Sequence, residues 1–465
     1  AEGSLQNGFR TRGQARLPGT AGPVKLLIDG LITTGAAENV RIELTTGGNS
    51  QTAPKSGQES AGASTRESTG ESAGENAAST VVATGQVNWR EGLNASADVR
   101  LRGFPWYTLV PDLGPPPVSL QTLDGTVAWQ DANYQAELTA DVDSPQGQAK
   151  LSATVNGDLQ KVRLTEMSVA TGAGSLSGNG SVTYAGPLAW QAALQLKDFN
   201  PGFWVPALEA SLSGEVTTEG QLRDGGIPAM TAGWRLEGSW RSNPASLVGD
   251  LDTSSGSWQL SGLKLAVGEN RLEGSGVWGD RLSADLKLAV PRPADLLPGL
   301  AGSLEASLTA GGTPENPTGE LTANARELSW RDDLAVESAS LDASLKPGLR
   351  LASRLEASDI EAFDQQLKDL AVEANGDQAQ HRVVVSANHA ETNLELGFEG
   401  GAGPDWQTWQ GALTRGLIAL PEQSQRWQLQ SPATLTYNDS GELTFGKHCW
   451  QWQQSSVCAE DQRLL

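Results

Sequence analysis

The sequence predicts a mainly β protein built from repeated antiparallel strands, and three observations predict it. Apolar and polar residues alternate with period two in segment after segment. Gly, Pro, Asn and Asp punctuate the chain at about ten-residue intervals. A spacing of about 95 residues recurs along its length.

The alternation is clearest over 281–290. Leu282, Ala284, Leu286, Leu288 and Val290 take one face, and Arg281, Ser283, Asp285 and Lys287 take the other. Leu394, Leu396 and Phe398 likewise alternate with Asn393, Glu395, Gly397 and Glu399. Trp427-Gln428-Leu429-Gln430 and the pair Leu443 and Phe445 repeat the pattern. Strands with one apolar and one wet face are the antiparallel habit. Helix signals are thin: Pro293-Ala294-Asp295-Leu296-Leu297 predicts a short turn after Pro, and 357–369 is a weak helical candidate with poor Leu/Ile/Phe spacing.

Leu164, Gly172, Leu176, Gly178 and Gly180 match Leu260, Gly268, Leu272, Gly274 and Gly276, each pair offset by 96. Trp89, Tyr184 and Trp278 stand 95 and 94 residues apart. Each is followed by a proline corner: Arg102-Gly103-Phe104-Pro105, Asp198-Phe199-Asn200-Pro201 and Ala289-Val290-Pro291. Leu208-Glu209-Ala210-Ser211-Leu212-Ser213-Gly214 and Leu304-Glu305-Ala306-Ser307-Leu308-Thr309-Ala310 follow two of the corners as similar phrases. Repeating units of this kind bury their apolar faces by stacking on neighbours, which makes elongated molecules.

Composition narrows the function. A net charge of −22, from 33 basic and 55 acidic residues, disfavours nucleic acid as a partner, because phosphate recognition needs a basic footprint. It also disfavours a purely electrostatic hold on anionic lipid surfaces and favours solubility. No stretch approaches the ~18 consecutive apolar residues of a transmembrane helix, and no secretory leader pattern is present. The chain opens Ala-Glu-Gly without Met, which reads as an excised segment whose membrane anchor lies elsewhere. Residues 1–46 read as a β segment, 47–79 as a disordered low-complexity insertion of Gly, Ser, Thr, Ala, Glu and Gln, 80–360 as the repeats, and 361–465 as a further β segment.

Catalytic and metal motifs fail on context. Gly70-Glu71-Ser72-Ala73-Gly74 matches a nucleophile elbow, but in the low-complexity stretch rather than at a strand-to-helix turn. Gly274-Ser275-Gly276-Val277-Trp278-Gly279 matches the dinucleotide fingerprint, yet the strongest alternating strand follows it instead of a helix. These glycines read as strand bends or bulges. His381, His389 and His448 sit on no metal-ligand spacing and read as structural. The carboxylates scatter over wet faces, no acid/base pair emerges, and the chain is expected not to be an enzyme and to need no cofactor. Fifteen tryptophans against seven Phe read first as strand-pair packing and second as lining for an apolar channel or a lipid-facing rim.

The two cysteines lie in His448-Cys449-Trp450-Gln451-Trp452-Gln453-Gln454-Ser455-Ser456-Val457-Cys458. A hairpin turning at Gln453-Gln454 sets Cys449 opposite Cys458, within disulfide reach, and a disulfide implies an oxidising compartment. The alternative is two reduced thiols in the cytosol.

The C-terminal third resembles the TamB/AsmA-like family. The resemblance rests on Leu367-Lys368-Asp369-Leu370-Ala371-Val372-Glu373-Ala374-Asn375-Gly376 with His381, on Trp409-Gln410-Gly411-Ala412-Leu413-Thr414, on Trp427-Gln428-Leu429-Gln430-Ser431-Pro432-Ala433, and on the Cys449-Trp450 to Val457-Cys458 hairpin. It covers about 365–460, and the upstream repeats are similar to AsmA-like regions more generally.

The resemblance implies a β-sheet curled into an open groove with an apolar interior; the residues themselves read as about 35 strands. It implies phospholipid acyl chains as cargo between inner and outer membranes, and a role in outer-membrane biogenesis. It further implies a TamA-like outer-membrane partner of the Omp85 type, engaged through parts outside this segment, and a periplasmic location as the soluble part of an inner-membrane-anchored protein of a Gram-negative bacterium. Leu282, Leu286, Leu288, Leu394, Leu396 and Phe398 are the candidate groove-lining residues. A closed sandwich or barrel explains the same alternation. A scaffold pairing edge strands with nascent outer-membrane β-proteins and a secreted adhesin stalk are the other functional readings.

Overall fold

The computed structural model describes residues 2–4, 7–20, 22–46, 79–109, 118–144, 147–203, 208–331, 333–362, 365–389 and 391–463. The expected low-complexity insertion and its Gly70–Gly74 motif lie outside the described residues, except for Ser79. The described elements are 32 strands and four short 3-10 turns. They divide into two units, Ala1–Ser213 and Gly214–Leu465.

In the first unit each strand from Glu2–Ser4 to Ala189–Phe199 pairs antiparallel with the next. In the second, the strands from Ala229–Trp240 to Trp409–Leu420 do the same. Among the described residues no pairing joins the first strand of a unit to its last, so neither sheet closes into a barrel. Each is an open sheet curled about its apolar face. Along Leu282–Val290, for example, Leu282, Ala284, Leu286, Leu288 and Val290 are half-buried or buried, and the residues between them are exposed.

Such a meander has two rims within each unit. At one, the strands join through hairpins and loops without a 3-10 turn among the described residues, such as those after Gln130, Gly157, Trp278 and Lys346. The other carries the 3-10 turns Trp106–Leu109 and Pro201–Phe203 in the first unit, and Pro293–Asp295 and Pro421–Gln423 in the second. These are termed the hairpin rim and the corner rim. The three proline corners expected from sequence are the first three of these turns. Proline suits them because its fixed φ opens a turn while its missing N–H ends a strand ladder.

The sequence repeat is also a repeat of irregularities. Strand pairing shifts register between Leu164 and Met167 in the first unit, and between Leu260 and Leu263 in the second. Past each shift stands a glycine facing a leucine, Gly178 opposite Leu194 and Gly274 opposite Leu286. A Cβ on Gly274 would fall 2.5 Å from Leu286 Cδ2, and one on Gly178 2.7 Å from Leu194 Cδ2. The Gly274–Gly279 string therefore lies in a strand and its loop, where glycine admits a close neighbour. The weak helical candidate over 357–369 is corrected: it spans the end of strand Arg350–Ala362 and the start of Gln365–Gly376. Asp359 takes a left-handed φ of 45°, and this interruption hid the alternation.

The second unit ends in a fork. Strand Trp409–Leu420 pairs through Leu417–Leu420 with Gln425–Leu429 and through Trp409–Leu413 with Ala433–Tyr437. Beyond the first branch, His448–Trp452 and Ser455–Ala459 form the expected hairpin. Cys449 faces Cys458 there, with Cα atoms 4.0 Å apart, and the two are disulfide-bonded.

Two outcomes test this account. Gly274→Val is expected to destabilise the chain by about 1–3 kcal/mol in urea unfolding, since the added carbons must displace backbone. Replacing both cysteines by Ser is expected to cost about 2–4 kcal/mol of local stability, read as faster amide exchange in 448–459.

Candidate functional site: an apolar trough

The candidate site is a face rather than a cluster. Directly opposed residues in adjacent strands share a face, so the registers can be followed strand by strand. In the second unit one row runs Leu236, Leu247, Leu265, Leu272, Leu288, Ala306, Ala323, Leu341, Leu355, Val372, Val385, Leu396 and Gly416. No polar side chain interrupts it. A parallel row runs Val290, Leu304, Ala325, Ala339, Ala357, Leu370, Ala387, Leu394, Ile418 and Trp427. In the first unit the equivalent row is Ala15, Leu26, Leu44, Val81, Leu101, Leu123, Ala140, Leu151, Val169, Leu176 and Leu196. Each unit therefore carries an uninterrupted apolar track across its strands.

The track is sheltered along one side only. In the first unit the buried apolar side chains Val24, Leu101, Phe104, Val142, Ala149, Val169, Phe199 and Ala210 all lie at strand ends on the corner rim, or in the corner itself. Phe104, 2% exposed, packs with Val24 and Leu101 at the turn Trp106–Leu109. In the second unit Val267, Val290 and Ala325 lie toward the corner rim, while Leu413 and Ala433 face each other in the fork. There Asn270 donates from its amide to the carbonyls of Val267 and Arg292, tying the corner to the strands. The corner rim does leave Trp106, Leu208, Leu297 and Leu334 exposed. The hairpin rim has no buried apolar side chain among the described residues outside the fork, and it exposes Leu159 (68%), Trp278 (67%) and Trp406 (63%).

Leu282, Leu286, Leu288, Leu394, Leu396 and Phe398 are all half-buried on the apolar face. Leu288 and Leu396 share one row, and Leu394 belongs to the parallel one. Leu286 and Phe398 lie on a third that also contains Leu308, Leu321 and Val383. Sequence reasoning missed most of the rows, because alanines such as Ala306 and Ala323 carry no strong signal until register places them between leucines.

Two of the three histidines are held by the fold, and His389 is exposed at a strand end. His381 Nε2 accepts from Trp409 Nε1 at 2.7 Å, which leaves its Nδ1 to donate to the Asp377 carbonyl at 2.9 Å. His448 stacks on Phe445 with centroids 4.2 Å apart. Charges on the polar face pair across strands, as in Arg354–Glu373 at 2.8 Å and Arg415–Glu395 at 3.0 Å. Hydrogen bonding from Arg12, with Arg10 nearby, lowers the Asp29 pKa below its ordinary value. These pairs are exposed and contribute little stability.

A family model described as TamB, N-terminal domain, matches residues 110–464, a range that takes in the phrases carrying the resemblance in sequence and extends well upstream of them. The translocation and assembly module subunit TamB of Haemophilus influenzae is 23% identical over 339 residues, covering 70% of this chain and 25% of that protein. The chain thus spans about a quarter of the length of the curated relative it matches. No solved structure matches.

The one-sided shelter has a measurable consequence. Phe104→Ala is expected to cost about 3–5 kcal/mol in chemical unfolding. Trp278→Ala is expected to change stability by about 0.5 kcal/mol or less, because its ring is already in water.

Proposed function

The chain belongs to the TamB N-terminal-domain family, and from that premise we propose that it is a periplasmic section of an envelope protein whose trough carries phospholipid between the inner and outer membranes. The observation behind this reading is the uninterrupted apolar row in each unit. Sheltering an acyl chain is worth about 0.8 kcal/mol per CH₂. Successive strands offering the same apolar side chains hold that chain with similar affinity at each position, so it slides without large barriers. The charged outer face keeps the sheet soluble. In this reading the chain binds and guides without catalysing a reaction. Its anchorage in the inner membrane and a TamA-like outer-membrane partner belong to other parts of the protein.

Native mass spectrometry with lipid extraction, on protein purified from the periplasm, tests this. Phospholipid is expected to co-purify, and Leu286→Asp with Leu396→Asp is expected to lose it while the β circular dichroism persists. A folded wild-type protein carrying no phospholipid would sink the reading.

A second reading, assembly of outer-membrane β-proteins by strand addition, has one observation in its favour. Strand Ser455–Ala459 pairs with His448–Trp452 and, among the described residues, with no strand on its other side. It contains neither Lys nor Pro and leaves Val457 60% exposed, so it lacks the usual edge protection. Val457→Lys is expected to abolish capture of an amphipathic β-strand peptide if this edge is used. Capture that survives the substitution would count against it.

A further inference from the structure

We propose that the trough holds phospholipid in one orientation, with acyl chains toward the corner rim and headgroups along the hairpin rim. This rests on the lipid reading above and adds to it the side from which the polar end emerges. An amphiphile in a trough sheltered along one side places its tail where apolar side chains are buried, and leaves its polar end where water reaches it. In each unit the buried apolar side chains outside the fork gather at the corner rim, so the wet boundary lies at the hairpin rim.

The hairpin rim has the chemistry of such a boundary. Trp258 and Trp278 face each other across adjacent strands, and Trp278 also faces the half-buried Leu282, so both indoles stand at the end of the apolar face. Trp406 is exposed at the same rim of that unit, and Trp89 and Tyr184 at the hairpin rim of the other. Indole and phenol rings settle where an apolar body and a polar tip are both satisfied, the boundary between acyl chain and headgroup. At the corner rim Trp106 is exposed as well, but Trp240 and Trp330 are differently placed. The Arg241 guanidinium lies 5.8 Å from the Trp240 ring centroid, and that of Arg331 5.1 Å from Trp330. A ring occupied by its own arginine has less face to offer a ligand.

The test uses two single-cysteine variants of the full chain, Ser255→Cys in a hairpin-rim loop and Ala294→Cys in a corner. Both positions are exposed, and the native cysteines are locked in their disulfide. Each variant is labelled with bimane and loaded from phosphatidylcholine vesicles carrying a nitroxide on the headgroup or near the acyl terminus. Headgroup nitroxide is expected to quench the label at 255 more than at 294, and acyl-terminal nitroxide to reverse the order. Trp258→Ala with Trp278→Ala is expected to weaken loading roughly three- to tenfold with the fold retained. Equal quenching at both positions, or the opposite order, overturns the orientation while leaving lipid binding intact. Absence of quenching by either lipid overturns the orientation and the lipid reading together.

Discussion

Register between adjacent strands is the constraint on which the rest of this structure depends. Side chains alternate faces along a strand, so a slip of one residue would carry every leucine of that strand to the wet face. The irregularities respect this. Before the shift in strand Lys161–Thr171 the inward residues are Val162 and Leu164, and after it they are Met167 and Val169. The inserted residue changes the parity of the sequence, and the register shift restores the face. Without such compensation the apolar row through Val169 and Leu176 would break in the middle of the sheet.

Because no second layer lies over the apolar face within either unit, few of the described residues are buried in the ordinary sense. Cohesion comes from the backbone ladders, which satisfy the polar groups of each strand through its neighbours, and from neighbouring side chains half-covering one another along each row. Compact packing among the described residues lies along the corner rim, where a 3-10 turn folds back and buries residues such as Phe104 and Val290, and in the fork, where Leu413 meets Ala433. A second layer over the rows would add stability and would fill the space above the apolar face. The fork treats the row differently: the central row ends at Gly416, where a Cβ would collide with the ring of Trp450 from the disulfide-bonded hairpin. Glycine is required there because the indole occupies the side-chain position.

Much of this was legible in sequence. Alternation needs only neighbours in the chain, so Leu282 to Val290 declared its strand and its faces. The cysteine hairpin was readable because both partners lie ten positions or fewer apart, a separation of nine, and one turn sets their register. The proline corners were visible as interruptions recurring at the repeat spacing. The segment over 357–369 misled because a single left-handed residue, Asp359, puts its alternation out of phase, and a broken period of two resembles a poor helix.

By itself the sequence determined the strand character, the repeat, the acidic wet face and the opposition of the two cysteines, since each depends on residues close in the chain or on composition. Only the tertiary structure decided that the apolar faces form continuous rows instead of meeting in a sandwich. It alone revealed that shelter lies along one rim while the other ends in exposed indoles. Those properties belong to opposed residues from many strands, such as Leu247, Leu288 and Leu355, whose alignment is the sum of every turn and bulge between them. No local pattern carries that sum, because each insertion changes the phase of everything that follows.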